Sequence, residues 1–213
     1  MPGSERQHLP YTTPTPSSNC GEYPHLYINL DRHEDRIKTF EDNNQAALTI
    51  CNIQRIQGID GPKEYEESKG SKLKRGEKGC IASHKKAWQH IVDSGKSFGI
   101  VMEDDGQLLD AYLGASDAIM AEATEACKQP LVYLDRTTWT DTSKETKVSP
   151  HLHRVKEPSH GLHAYVISRE AAEHLGVQDI DEALDVYMNS FIDSDDVCLL
   201  RTSPSLARTT GTS

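Results

Sequence analysis

Phe98-Gly99-Ile100-Val101-Met102, followed at once by Glu103-Asp104-Asp105, is the stretch on which the reading of this chain turns. An uncharged run that ends abruptly in three carboxylates reads as a central buried strand delivering acidic residues at its C-terminal end. Three adjacent carboxylates repel one another unless a cation is near. In extended chain, residues 103 and 105 point to one side and Asp104 to the other. Glu103 and Asp105 are therefore the expected metal ligands. Hard oxygen donors of this kind suit Mg²⁺ or Mn²⁺, which keep several waters and bind substrate phosphates rather than sit in a full protein cage. Without the apolar run before it, the same tripeptide reads more readily as a solvated acidic turn, and with that run the two readings stand level.

Working outward, Leu26 to Leu30 is a short β-prone run, and Asp31 can cap a following helix through Ile37, Phe40, Ala47 and Leu48. Ile50 to Ile56 suggests a second strand, and Gly58 to Lys78 a long polar loop. Helices are predicted from Glu77 to Val92, from Asp110 to Cys127, from an N-cap at Ser168 through Leu175, and from Glu182 to Phe191. Strands are predicted at Leu131 to Leu134, His163 to Ile167 and Val197 to Leu200, with an irregular excursion from Asp135 to Pro158. Alternating strands and helices predict an α/β fold with a mainly parallel sheet in a single domain over residues 25–213. Ligands of such sheets sit beyond the carboxyl ends of the strands, which is where Glu103 to Asp105 fall. The first 24 residues, rich in Pro, Ser and Thr, read as a flexible arm.

The chain has 213 residues and a formal net charge of −10. So acidic a surface repels a phosphate backbone and argues against broad nucleic-acid binding. Five cysteines with no C-x-x-C pair signal neither a zinc ribbon nor a disulfide framework. They are expected to be small buried hydrophobes in a reducing compartment. No apolar run approaches the roughly 20 residues of a transmembrane helix. The expected location is therefore cytoplasmic. There is no G-x-S-x-G and no P-loop sequence, so serine-hydrolase and P-loop readings lack support.

A series of short motifs adds to this. Tyr27-Ile28-Asn29-Leu30-Asp31-Arg32 with Asp35-Arg36, Gly58-Ile59-Asp60-Gly61, and Gly76-Glu77-Lys78-Gly79-Cys80-Ile81-Ala82-Ser83-His84 come first. Val101-Met102-Glu103-Asp104-Asp105, Gly161-Leu162-His163-Ala164-Tyr165-Val166-Ile167-Ser168-Arg169 and Leu184-Asp185-Val186-Tyr187-Met188 follow. Their order and content resemble glycosyltransferase family 25, the lipooligosaccharide and collagen galactosyltransferase group. Each motif is short and weak alone; the ordered set is specific.

The resemblance implies a GT-A type fold, a nucleotide-sugar donor that is commonly UDP-galactose, Mn²⁺, and transfer with inversion to a glycan or glycoprotein acceptor. Carried over residue by residue, it implies that Asn29, Leu30, Asp31 and Arg36 shape the nucleotide pocket. Ser83, His84 and Asp104 would line the donor side, His163 and Tyr165 would stand near the sugar or acceptor, and Asp185 would be the general base. Two readings compete with it. One is a metal-dependent phosphohydrolase or nucleotidyltransferase using the same carboxylates, and the other is a homologue that binds a nucleotide-sugar or a partner without turnover.

Overall fold

The computed structural model describes residues 20–66, 72–137 and 142–211. A 3-10 turn at Cys20–Glu22 leads into β1 (His25–Asn29). Then come α1 (Glu34–Asn43), α2 (Gln45–Cys51), β2 (Gln54–Gln57), the short α3 (Gly61–Glu64) and the long α4 (Arg75–Asp93). The middle of the chain holds β3 (Phe98–Glu103), β4 (Gly106–Leu108), α5 (Asp110–Ala126) and β5 (Pro130–Thr137). After these lie β6 (Thr146–Lys147), β7 (Leu152–Arg154), β8 (His160–Ser168), α6 (Arg169–Gly176), α7 (Leu184–Met188), β9 (Cys198–Thr202) and β10 (Ala207–Thr209).

Among the described residues, eight strands form one sheet in the order β2-β1-β3-β8-β5-β9-β7-β6. β1 is parallel to β2 and β3, and β5 is parallel to β9. β8 runs against β3 and β5, and β7 against β9 and β6. The sheet is thus mixed and mostly parallel, with only β8 and β7 reversed. Because β8 is reversed, its first residues lie beside the carboxyl ends of β3 and β5. Separately, β4 pairs with β10.

Strand residues alternate between two cores, as a period of two requires. Ile100, Met102, Val132, Leu134 and Val166 face α1, α2 and α5 through Phe40, Ala47, Tyr112 and Ile119. Val101, Leu131, Tyr133, Tyr165 and Ile167 face α4, α6 and α7 through Trp88, Ile91, Leu175 and Met188. Covered on both faces, β3 tolerates no polar residue before Glu103. The Ser168 hydroxyl accepts from Ala171 N–H and caps α6, as its position predicts.

The structure departs from expectation where a side chain overrides local preference. The single helix expected after Asp31 is two. It breaks at Asn44, whose side chain donates to the carbonyls of Phe40 and Gly106 and accepts from Leu108 N–H, and so ties α1 to β4. Asp31 is not the cap; His33 holds that position and the Asp31 carboxylate receives Arg55 and Gln57. Helix α2 runs to Cys51, so β2 starts at Gln54 and not at Ile50. The loop expected over 58–78 contains α3 and the first turn of α4, and the excursion after Asp135 contains β6 and β7. The last expected helix is shorter: only Leu184–Met188 is α-helical, with a 3-10 turn after it.

The cysteine expectation is corrected. Cys20 bonds to Cys51 and Cys127 to Cys198, with Cα separations of 4.8 and 6.4 Å, and the one free cysteine, Cys80, is exposed. Partners 31 and 71 residues apart make no sequence motif; only the packing of α2 on the N-terminal turn and of α5's end on β9 brings them together. The first of these bonds also moves the domain boundary. Cys20 is buried, Tyr23 packs edge-on against Phe98 and the Pro24 carbonyl accepts from Ile100 N–H, so residues expected in the arm belong to the fold. Residues 1–19 lie outside the described residues.

Closing a 31-residue separation with a disulfide restricts the unfolded chain by about 3–4 kcal/mol on the loop-entropy argument. Cys20→Ala with Cys51→Ala is expected to lower unfolding free energy by about that amount. Urea denaturation of the oxidised wild type and the double variant measures it, and an unchanged midpoint contradicts the assignment.

Candidate active site

Four chain ends converge at one edge of the sheet: Asn29 at the end of β1, Glu103 at the end of β3, Asp135 near the end of β5, and the start of β8 with His163. The three carboxylates after β3 do not share one direction. Glu103 faces His84 of α4, with Oε1 3.4 Å from Nε2. Asp104 turns to the other side and accepts from Asn29 Nδ2 at 2.8 Å and Arg36 Nη1 at 3.0 Å. Asp105 lies 3.3 Å from His163 Nδ1, and its carbonyl accepts from Thr210 N–H and Oγ1 at 2.8 and 3.0 Å. Mutual repulsion is thus relieved by giving each acid its own donor.

Glu103, Asp105 and His163 each offer one donor atom within 4.8 Å of the others, an oxygen, oxygen and nitrogen set. That composition fits a hard divalent ion. The hydrogen bond that His163 donates to Asp105 raises the His163 pKa, against the effect of burial, and the charges of Asp105, Glu103 and Asp135 add to the rise. The same bond lowers the pKa of Asp105. Asp135 goes the other way: half-buried, it is pushed up by desolvation.

Beside this cluster opens a cavity of about 350 Å³. Asn29, Leu30, Arg36, Ser83, His84, Glu103 and Asp104 all line it, so seven of the residues singled out in the sequence meet on one wall. Arg32, Gly61, Pro62 and Cys80 also line it and were not singled out. The fit of α3 on α4 depends on two glycines. A Cβ on Gly61 would stand 1.8 Å from the Arg75 carbonyl oxygen, and one on Gly79 would stand 2.5 Å from that of Ile59. Ser83 Oγ accepts from Ile59 N–H and donates to the Gly79 carbonyl, both at 2.7 Å, so it fastens this wall.

Three residues expected at the donor site do not line the cavity: Asp31, Tyr165 and His163, the last lying against Asp105. Asp31 does not line the cavity; its carboxylate is drawn outward by Arg55 and Gln57. Tyr165 is fully buried beneath His84, its hydroxyl 2.8 Å from His84 Nδ1 and accepting from Trp88 Nε1 at 2.8 Å. Its hydroxyl meets the His84 ring and not the cavity. Burial opposes protonation of the His84 ring, yet Tyr165, Cys80 and Glu103 around it raise its pKa overall.

Asp185 also stands outside the lining. Its Oδ2 is 3.4 Å from both His160 Nδ1 and Gly161 N. Gly161 separates it from the acid cluster: its φ is +86°, and a Cβ there would meet His163 Nε2 at 2.4 Å.

Residues 23–188 match the family model described as glycosyltransferase family 25 (LPS biosynthesis protein). The chain belongs to glycosyltransferase family 25. The match spans β1 through α7 and hence every site residue above except Thr210. Among the family's curated members, the chain is 33% identical over 98 residues to a probable inactive glycosyltransferase 25 family member 3 of Bos taurus, covering 45% of this chain and 16% of that protein. It is 28% identical over 135 residues to procollagen galactosyltransferase 1 of Danio rerio, covering 62% of this chain and 21% of that protein. An inactive glycosyltransferase 25 family member 3 of Homo sapiens is 29% identical over 49% of this chain and 17% of its own length. The chain therefore spans about a fifth or less of these relatives. A solved glycosyltransferase involved in the glycosylation of the major capsid of PBCV-1 aligns at 9% identity and a TM-score of 0.36, over 72% of this chain and 65% of that one, a score too low to bear on the fold. No described helix is long and apolar enough to cross a membrane.

The role of Gly161 is open to test. Gly161→Ala is expected to push the His163 ring off Asp105, so that the raised His163 pKa falls toward its ordinary value in an NMR titration. Gly95→Ala is the control, since Gly95 also has positive φ (+68°) but no atom within 4 Å of a Cβ. Both changes carry a left-handed backbone cost of about 1–2 kcal/mol, and only the first is expected to move His163.

Proposed function

We propose that this chain is a GT-A type, metal-dependent inverting transferase. It moves a hexose, galactose in the reading favoured by the family, from a UDP-sugar to a hydroxyl of a glycan or glycoprotein. The observation that carries this reading is the placement of Glu103, Asp105 and His163 as one donor set at the rim of a cavity whose wall holds Arg36 and His84.

In this reading Glu103, Asp105 and His163 would hold Mn²⁺ or Mg²⁺, which would supply charge neutralisation to a leaving diphosphate. Asn29 and Asp104 keep Arg36 facing the cavity, where its guanidinium shares the diphosphate charge. His84, oriented by Tyr165, presents its Nε2 edge to the same space. Asp185 takes the proton of the acceptor hydroxyl as that oxygen attacks the anomeric carbon from the face opposite the diphosphate. Asp135, near His163, is the alternative base. Two disulfides support an oxidising compartment rather than the cytoplasm.

The relatives named inactive favour a second reading, a homologue that binds donor without turning it over. Calorimetry of UDP binding addresses the shared part. Affinity is expected to rise at least about tenfold, or 1.4 kcal/mol, in Mn²⁺ over EDTA, and Asp105→Asn is expected to abolish most of that gain. Equal affinity in the two conditions sinks the metal assignment.

Turnover separates the two readings and locates the base. With UDP-galactose and a panel of hydroxyl acceptors, Asp185→Asn is expected to slow transfer by about 10²- to 10⁴-fold while leaving UDP affinity unchanged. Normal transfer by Asp185→Asn together with loss in Asp135→Asn moves the role to Asp135. Tight UDP binding with no transfer by the wild type favours the inactive homologue.

A further inference from the structure

The cavity wall carries a second donor set of different chemistry. Cys80 and His84 are four residues apart on α4 and so project from one face of the helix. Across from them Glu103 ends β3. One donor atom from each of Cys80, His84 and Glu103 lies within 4.8 Å of the others. A tetrahedral zinc ion with Zn–N near 2.05 Å and Zn–O near 2.1 Å sets its nitrogen and oxygen ligands about 3.4 Å apart. His84 Nε2 and Glu103 Oε1 are 3.4 Å apart. That separation lies at the long end for an N–H···O hydrogen bond, which prefers about 2.9–3.0 Å, and also suits two ligands of one small ion.

The surroundings match what a ligating histidine needs. His84 Nδ1 is engaged by the Tyr165 hydroxyl, itself held by Trp88, so the ring is locked with Nε2 toward Glu103. Such outer partners orient ligating imidazoles in metal sites generally. Cys80 is exposed, lines the cavity, and is the only cysteine not in a disulfide. A thiol, an imidazole and a carboxylate together select a borderline-soft ion; two carboxylates and an imidazole select a hard one.

We propose that Cys80, His84 and Glu103 form a binding site for a thiophilic divalent cation of the zinc class, separate from the Glu103–Asp105–His163 set but sharing Glu103 with it. Three protein ligands leave a fourth position open to the cavity. Binding replaces the Cys80 S–H bond with a metal–sulfur bond and releases the proton to solvent. Since Glu103 cannot serve both sets in full, zinc and manganese compete, and zinc antagonises whatever the hard-ion set supports. The soft site itself depends on ligand geometry alone and stands whether or not the chain transfers sugar.

The test is titration of the metal-stripped, disulfide-intact full chain with Co²⁺, which reports a thiolate ligand by near-ultraviolet charge-transfer absorption and tetrahedral geometry by intense visible bands. One equivalent is expected to produce both, and Zn²⁺ to bleach them stoichiometrically. Cys80→Ser, a change at an exposed position, is expected to remove the charge-transfer band while the melting temperature of the apo chain stays at the wild-type value. Asp105→Asn is expected to keep the band. Tyr165→Phe, which frees the His84 ring, is expected to weaken Zn²⁺ binding by about 10- to 100-fold. A wild-type chain with no charge-transfer band at stoichiometric Co²⁺, or a band that survives Cys80→Ser, overturns the proposal. Loss of Mn²⁺-stimulated UDP binding alongside a normal cobalt band overturns the hard-ion assignment instead and leaves the soft site in place.

Discussion

The Asp104 carboxylate holds the site together. It accepts from Asn29 at the end of β1 and from Arg36 on α1, and so ties three elements at the carboxyl edge of the sheet. Asn29 is itself almost wholly buried, and its amide oxygen accepts from Arg55 Nε at 3.0 Å. Two such donors offset the desolvation of this part-buried carboxylate, whereas the same group with neither would resist burial. With Asp104 satisfied in this way, the chain turns directly from β3 into β4, and Glu103 and Asp105 are left facing the cavity side and His163. Asn44 works at the same corner from the other direction, since its bonds to Gly106 and Leu108 fix where β4 begins. Thr210 on the segment after β10 fastens the Asp105 carbonyl. The turn is therefore held from α1, from β1 and from the C-terminal strand pair at once.

The same constraint governs the far end of the sheet. The Glu145 side chain, fully buried, takes both Arg136 from β5 and Arg201 from β9. Removing Glu145 would leave the buried Arg136 guanidinium without its carboxylate, the expensive half of a buried ion pair. That arrangement lets the excursion after β5 fold back, with β7 against β9 and β6 against β7. Around His84, neutral groups do the equivalent work. Trp88 can only donate, so the Tyr165 oxygen accepts from it, and the hydroxyl then sets the attitude of the imidazole.

Glu103 is the point where the two proposed metal-ligand sets meet. Its side chain is about one-third exposed, with Cys80 and His84 on one side and Asp105 and His163 on the other. Which set captures it depends on the softness of the available ion rather than on any movement of the backbone. With the other four cysteines bonded in pairs, Cys80 is the lone thiol available to such an ion.

Much of the fold was legible along the chain because it rests on local periodicity. The uncharged run of β3, the Ser168 cap and the apolar stripe of α4 each carry their own signal, and alternating strands and helices imply the layered sheet. The acids were legible too, since a buried strand can stop at three carboxylates only where the chain leaves the apolar layers. What no stretch of sequence encodes by itself is the partner of each group. Cys20 finds Cys51, Asp104 finds Asn29 and Arg36, and Glu145 finds two arginines only after distant segments pack. Tyr165 is withdrawn from the pocket because it faces α4 from within β8, which sends its hydroxyl under His84, while His163, two residues nearer the strand's start, reaches Asp105 beyond the end of β3. Sequence alone determined which residue types stand at the strand ends. Tertiary structure decided which of them meet, because hydrogen bonds and metal-ligand distances act over a few ångströms between residues that lie tens of positions apart.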